Sequence, residues 1–164
     1  MVGASCGLTM QGLFDFEQDG RYPLRRIPMI VRFKLDACGI KLPLLAWTLL
    51  TREQRESLVA LPCGTDAEKL AFRREVAAML QPHADNPEAI AEFVPVESSP
   101  AWADVSVVPE QVRAQLAELV LPVPTPTQWQ ALTELQRFAL MKLTRAGHKN
   151  ANLLPALREF GLVS

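Results

Sequence analysis

Two Gln-Arg pairs, Gln54-Arg55 and Gln136-Arg137, each stand seven residues after a tryptophan, Trp47 or Trp129. A guanidinium fork can grip a carboxylate or phosphate through two parallel hydrogen bonds, and an amide both donates and accepts. Together with Arg32, these side chains have the chemistry of a cleft for an anion or a pterin. The competing expectation is structural. Each Gln satisfies a neighbouring backbone, and each Arg pairs with an acid such as Asp36, Glu53 or Glu134 while its stem covers apolar surface. A second basic group, Arg21, Arg25 and Arg26, follows the acidic stretch "DFEQD" and suits contact with a partner protein. His148, in "RAGHKNAN", stands at a helix junction where imidazole can cap backbone groups and form part of the same surface. As a general base it would need a nucleophile or substrate in reach, and no Ser or Cys pattern supplies one.

The elements that carry these residues occur twice. "WTLLTREQRESLVAL" from Trp47 and "WQALTELQRFALMKL" from Trp129 share seven of fifteen positions, W-x-x-L-T-x-x-Q-R-x-x-L-x-x-L. Upstream, "PMIVRFKL" and "PEQVRAQL" share P-x-x-V-R-x-x-L, 81 residues apart where the Trp blocks are 82 apart. At about 100° per residue, the seven matches fall within about 140° of a helix wheel and the four within about 100°. One face is conserved between copies, as a duplicated packing surface requires.

Each unit therefore reads as a helical hairpin, about 27–61 and 108–144. Pro28 and Pro109 take the first helical position. Gly39 ends one first helix, and Leu121-Pro122 ends the other. The Trp helices begin near Pro43 and at Thr125, where Gln128 completes a capping box. A linking helix starts at Thr65 with Glu68 as its box, and Leu70, Phe72, Val76, Met79 and Leu80 are its apolar positions. Four prolines break up residues 82–108, leaving one short helix after Asn86 and an extended "VSVV" from Val105. A closing helix is capped by Asn152 and stopped by Gly161. The expected fold is all-α: a compact bundle of two repeated hairpins in a pseudo-twofold arrangement, with residues 1–13 as a loose tail and 14–164 as a single domain.

Composition excludes several classes. With 17 basic and 18 acidic side chains the net charge is −1, so nothing draws the chain to phosphate backbones, and nucleic acid is not an expected partner. No apolar run approaches the ~20 residues of a membrane helix. Cys6, Cys38 and Cys63 lack C-x-x-C spacing, which fits a reducing, cytoplasmic setting. With His83 and His148 they show no ligand spacing for zinc, and no metal or cofactor is expected. Phosphate-loop, dinucleotide, zincin and nucleophile-elbow signatures are absent, so no catalytic residue is assigned.

The strings "FDFEQD" (14–19), "RIPMIVRFKLDACGIKL" (26–42), Trp47, "LPC" (61–63), "LQRFALMKL" (135–143) and "GHKNANLLPALREFGL" (147–162) resemble the bacterial nitrate reductase associated protein family over most of the chain. The chain departs from that pattern at Pro43, where the family carries a hydroxyl residue, and at Lys149, where it carries an acid. The family is defined by gene neighbourhood, beside assimilatory nitrate reductase and molybdopterin biosynthesis, and brings no catalytic residues with it. The resemblance implies a non-enzymatic accessory protein that binds nitrate reductase or a molybdenum-cofactor maturation factor, with Arg21, Arg25, Arg26 and His148 as the contact surface. The second expectation is a small-molecule protein holding an anion or pterin between the hairpins through Arg32, Gln54, Arg55, Gln136 and Arg137.

Overall fold

A computed structural model describes residues 12–18, 22–145 and 150–164. Helices dominate: α1 (Met29–Ala37), α2 (Leu44–Leu49), α3 (Arg52–Ala60), α4 (Asp66–Leu80), α5 (Glu110–Glu118), α6 (Pro126–Ala131), α7 (Glu134–Leu143) and α8 (Leu153–Glu159). Short 3-10 turns at 15–17, 23–25, 81–83, 87–89 and 101–103 punctuate them. The one sheet among the described residues is antiparallel, β1 (Ile40–Lys41) against β2 (Glu92–Phe93). The mainly helical expectation holds, with that small ribbon added.

The Trp blocks are not single helices. Each breaks at the shared Leu-Thr, giving α2 then α3, and α6 then α7. Thr51 is the N-cap of α3: its hydroxyl accepts from Gln54 N–H at 3.1 Å, and the Gln54 side chain accepts from Thr51 N–H at 2.9 Å. Thr133 and Gln136 repeat this at the start of α7 with the same two distances. T-x-x-Q is itself a capping box, and a chain satisfied there in extended geometry turns a corner rather than continuing a helix.

Other boundaries follow local chemistry. Thr65 with Glu68 and Thr125 with Gln128 form the expected boxes. Pro28 and Pro109 are N-caps, one residue earlier than the expected first helical position. Asn152 stands at the N-cap of α8 without a side-chain bond to it. Val105–Val108 is irregular; the extended segment lies instead at Glu92–Phe93, paired to β1 through a ladder no local pattern encodes. On α4, Phe72, Val76 and Met79 are buried, but Leu70 is 49% exposed, facing away from the core.

Two apolar clusters make up the interior. One gathers Trp47 with Val31, Leu35, Leu58, Phe72 and Val76. The other gathers Trp129 with Val112, Leu116, Phe138, Leu140 and Leu157. They meet where α1 packs on α7, and Phe33 stands edge-on to Phe138 at 5.3 Å. Phe14 and Phe16 pack on Phe160 at the end of α8, and Leu13 lies against the first cluster.

Three helix ends close on a left-handed residue: Gly39 (φ 67°), Gly161 (φ 73°) and Val120 (φ 55°). After α5, Val120 N–H donates to Ala117 and Leu121 N–H to Leu116, the paired reverse bonds that satisfy a helix terminus. A β-branched residue is strained in this region. Val120 is 89% exposed, so it gains little from packing in return. Val120→Gly is expected to stabilise the protein by about 1 kcal/mol, seen as a Tm rise of roughly 2–4 °C in a thermal melt.

Candidate functional site

In each half, one arginine and one tryptophan tie the helix pair to the 3-10 turn before its first helix. Trp47 Nε1 donates to Leu24 O at 2.9 Å. Arg55 donates to Leu24 O (3.2 Å), Trp47 O (3.2 Å) and Thr48 O (3.0 Å), closing the carbonyl end of α2. In the second half, Trp129 Nε1 donates to Asp104 O at 2.9 Å, and buried Arg137 donates to Trp102 O (2.9 Å) and to Leu132 O, the C-cap of α6. Gln54 and Gln136 are engaged in their capping boxes. These four side chains thus meet backbone in two separate places and do not converge with Arg32 on one cavity. Neither arginine takes an acid as partner among the described residues.

An open cleft of about 620 Å³ lies elsewhere, where the N-terminus of α1, the C-terminus of α7 and the entry to α8 meet. Among the described residues Arg25, Arg26, Arg32, Lys142 and Arg145 line it, together with the acid Glu17. Arg25 and Arg26 are exposed; Arg32 is half-buried and donates to Ile27 O at 3.0 Å. Lys142 pairs with Asp36 at 2.9 Å, on the α1 surface. The chain is near-neutral as a whole, but this cleft gathers guanidinium groups from three elements. A concave surface with an excess of positive charge concentrates anions and suits carboxylates or phosphates. Of the sequence-derived candidates, the structure therefore brings together Arg25, Arg26 and Arg32. Arg21 and His148 lie outside the described residues.

Glu17 positions one wall. Its carboxylate accepts from Met29 N–H at 2.6 Å, at the first turn of α1, and from Phe14 N–H at 3.1 Å. Burial pushes its carboxyl above the ordinary 4.5, against the pull of those two N–H donors and of Arg32. Burial also raises Glu159, which accepts from Phe16 N–H. Burial lowers Arg32, with Glu17 opposing and Arg145 assisting. A raised carboxyl means that the folded chain holds more protons than the unfolded chain just above pH 4.5, so stability falls as pH rises through that window. Glu17→Gln is expected to flatten this fall, measured by urea unfolding at steps from pH 4.5 to 7.

Lys34 is a buried cation that no sequence motif marked. It sits on the core face of α1 with Val31, Leu35 and Cys38, and its ammonium donates to Val59 O (2.6 Å), Leu61 O (2.6 Å) and Leu58 O (3.3 Å). It thereby closes the C-terminus of α3, where a cation is favoured. A lysine on an apolar stripe was the available signal. Glu17, Lys142 and Arg145 were also missed, because only the tertiary fold assembles them.

Among the described residues no three His, Cys, Asp or Glu side chains stand together as a metal site, and no helix is long and apolar enough to cross a membrane. A family model described as conserved nitrate reductase-associated protein matches residues 13–160, nearly the whole chain. No curated protein and no solved structure matches it.

Proposed function

Since the chain belongs to the conserved nitrate reductase-associated protein family, we propose that it is a non-enzymatic accessory protein of nitrate assimilation. In this reading it acts in the cytoplasm by binding nitrate reductase, or a factor that matures the molybdenum cofactor. The observation that carries the reading is the cleft: Arg25, Arg26, Arg32 and Arg145 around one open concavity, on a protein whose overall charge is balanced. An acidic protrusion of the partner fits it, with rim arginines steering the encounter and the half-buried Arg32 fixing register. The two helical halves are read as a duplication in pseudo-twofold arrangement, supported by the paired Thr-Gln caps and the paired Trp and Arg ties. In such a duplication most matched residues serve packing, while Arg32, matched by Arg113, and the unmatched Arg25, Arg26 and Arg145 serve the partner.

The test is affinity capture of tagged protein from nitrate-grown cells. Wild type is expected to recover nitrate reductase or a cofactor-maturation protein, and Arg25→Glu with Arg26→Glu to cut that recovery at least about tenfold, as charge reversal at a complementary contact does. Both side chains are exposed, so the double variant is expected to melt like wild type. Recovery of neither partner by wild type would refute the reading. The second reading, a small anion or pterin as ligand, keeps only Arg32 of its original residues. Its support is the volume of the cleft, which is of small-molecule size.

A further inference from the structure

Away from the cleft, two thiols face each other. Cys38 is the buried residue that ends α1, and Cys63 lies half-buried in the loop between α3 and α4. Their Sγ atoms are 3.1 Å apart, although 25 positions separate them in sequence. A disulfide needs about 2.05 Å, so closure asks the two sulfurs to approach by only about 1 Å. Their other polar contacts among the described residues are long, Cys38 Sγ to Lys69 O at 3.7 Å and Cys63 Sγ to Lys34 O at 3.8 Å. The Lys34 ammonium is near enough to Cys63 for the two to interact electrostatically.

We infer that Cys38 and Cys63 form a dithiol–disulfide couple that exchanges with small disulfides of the glutathione type. Exposure divides the labour. Burial pushes the Cys38 thiol up to about 12, which unfits it for the first attack. Cys63 gives its proton to solvent and its sulfur attacks one sulfur of glutathione disulfide. The S–S bond breaks, and one glutathione leaves with the electron pair and takes up a proton. Cys38 then loses its proton and attacks Cys63 Sγ, and the second glutathione leaves in the same way. Two protein thiols are oxidised by two electrons, and one glutathione disulfide becomes two glutathiones. The bond staples the end of α1 to the loop entering α4, within the Trp47 cluster.

The experiment uses the full chain carrying Cys6→Ser, so that only these two thiols remain. It is equilibrated across a range of reduced-to-oxidised glutathione ratios, quenched with acid, denatured, alkylated and digested for mass analysis. The expected product is two hydrogens lighter than the dithiol, yields a peptide cross-linked through Cys38 and Cys63, and reverts with dithiothreitol. Its Tm is expected to lie roughly 5–10 °C above that of the reduced form, because the bond constrains the unfolded chain. With Cys38→Ser, Cys63 is expected to stop at the mixed disulfide; with Cys63→Ser, Cys38 is expected to stay free. Alkylation of both thiols at every ratio, or a mixed disulfide on Cys63 as the end product of the parent protein, would overturn the inference.

Discussion

Trp47→Ala is expected to cost about 3–5 kcal/mol, a large share of the roughly 5–15 kcal/mol by which domains are commonly stable. Trp47 is fully buried within the first cluster, whose members include residues of α1, α3 and α4, and truncation leaves a void that its surroundings fill only in part. It also removes the indole donor from Leu24 O. That carbonyl keeps Arg55 as a partner, so Trp47→Phe, which loses the donor but retains most of the ring, is expected to cost about half as much. Leu70→Ala, on the exposed side of α4, is expected to stay within about 0.5 kcal/mol. Urea unfolding of the three variants at one pH ranks them directly.

Gly39→Ala is expected to cost about 3 kcal/mol, and a second glycine separates its causes. Gly39 and Gly161 have nearly the same left-handed backbone, φ 67° and 73°, which charges an alanine about 1 kcal/mol in either place. A Cβ at Gly161 meets nothing within 4 Å, whereas one at Gly39 would lie 2.3 Å from the backbone oxygen of Val94. Val94 N–H donates to Gly39 O at 2.8 Å, next to the Ile40–Phe93 pairing, so the oxygen cannot withdraw without opening the ribbon. Gly161→Ala is therefore expected to lose only the backbone share, and the difference between the variants measures the close approach of the two strands. Equal losses would show that the approach contributes nothing.

These residues also mark what could be read in the sequence. Features written in a few adjacent positions were legible: the Thr65–Glu68 box, the Thr125–Gln128 box, Gly39 and Gly161 as helix ends, and the recurrence of Trp with Val and Leu as core positions. The break inside each Trp block was equally local, since T-x-x-Q is a box, but hydrophobic periodicity runs smoothly through it. Leu50 and Leu132 lie on the same apolar arc whether the helix continues or turns, so the wheel could not reveal the corner. Gln54, Arg55, Gln136 and Arg137 stand out in the sequence as polar groups repeated on one face. What they meet is backbone from a turn over thirty residues away in the arginine cases, which no spacing encodes.

The cleft was only half visible. Arg25 and Arg26 stand out as a run and Arg32 as a repeated charge, but Glu17, Lys142 and Arg145 come from elements more than 100 residues apart and meet only once α1 has packed on α7. The ribbon of β1 and β2 was invisible for the same reason. Two residues per strand carry no period, and their pairing is decided by Gly39 admitting Val94. Leu70 was misplaced because α4 packs through one narrow face, and an apolar residue beside that face looks inward only on a wheel.

The most direct test is a titration of purified nitrate reductase with the purified protein, followed by calorimetry at low and raised salt. Saturable binding that weakens with salt, and that falls at least about tenfold in the Arg25→Glu, Arg26→Glu variant, is the expected result. Binding undiminished by the charge reversal would contradict the cleft as the contact surface. Absence of heat and of complex with both nitrate reductase and the cofactor-maturation proteins would contradict the accessory role itself.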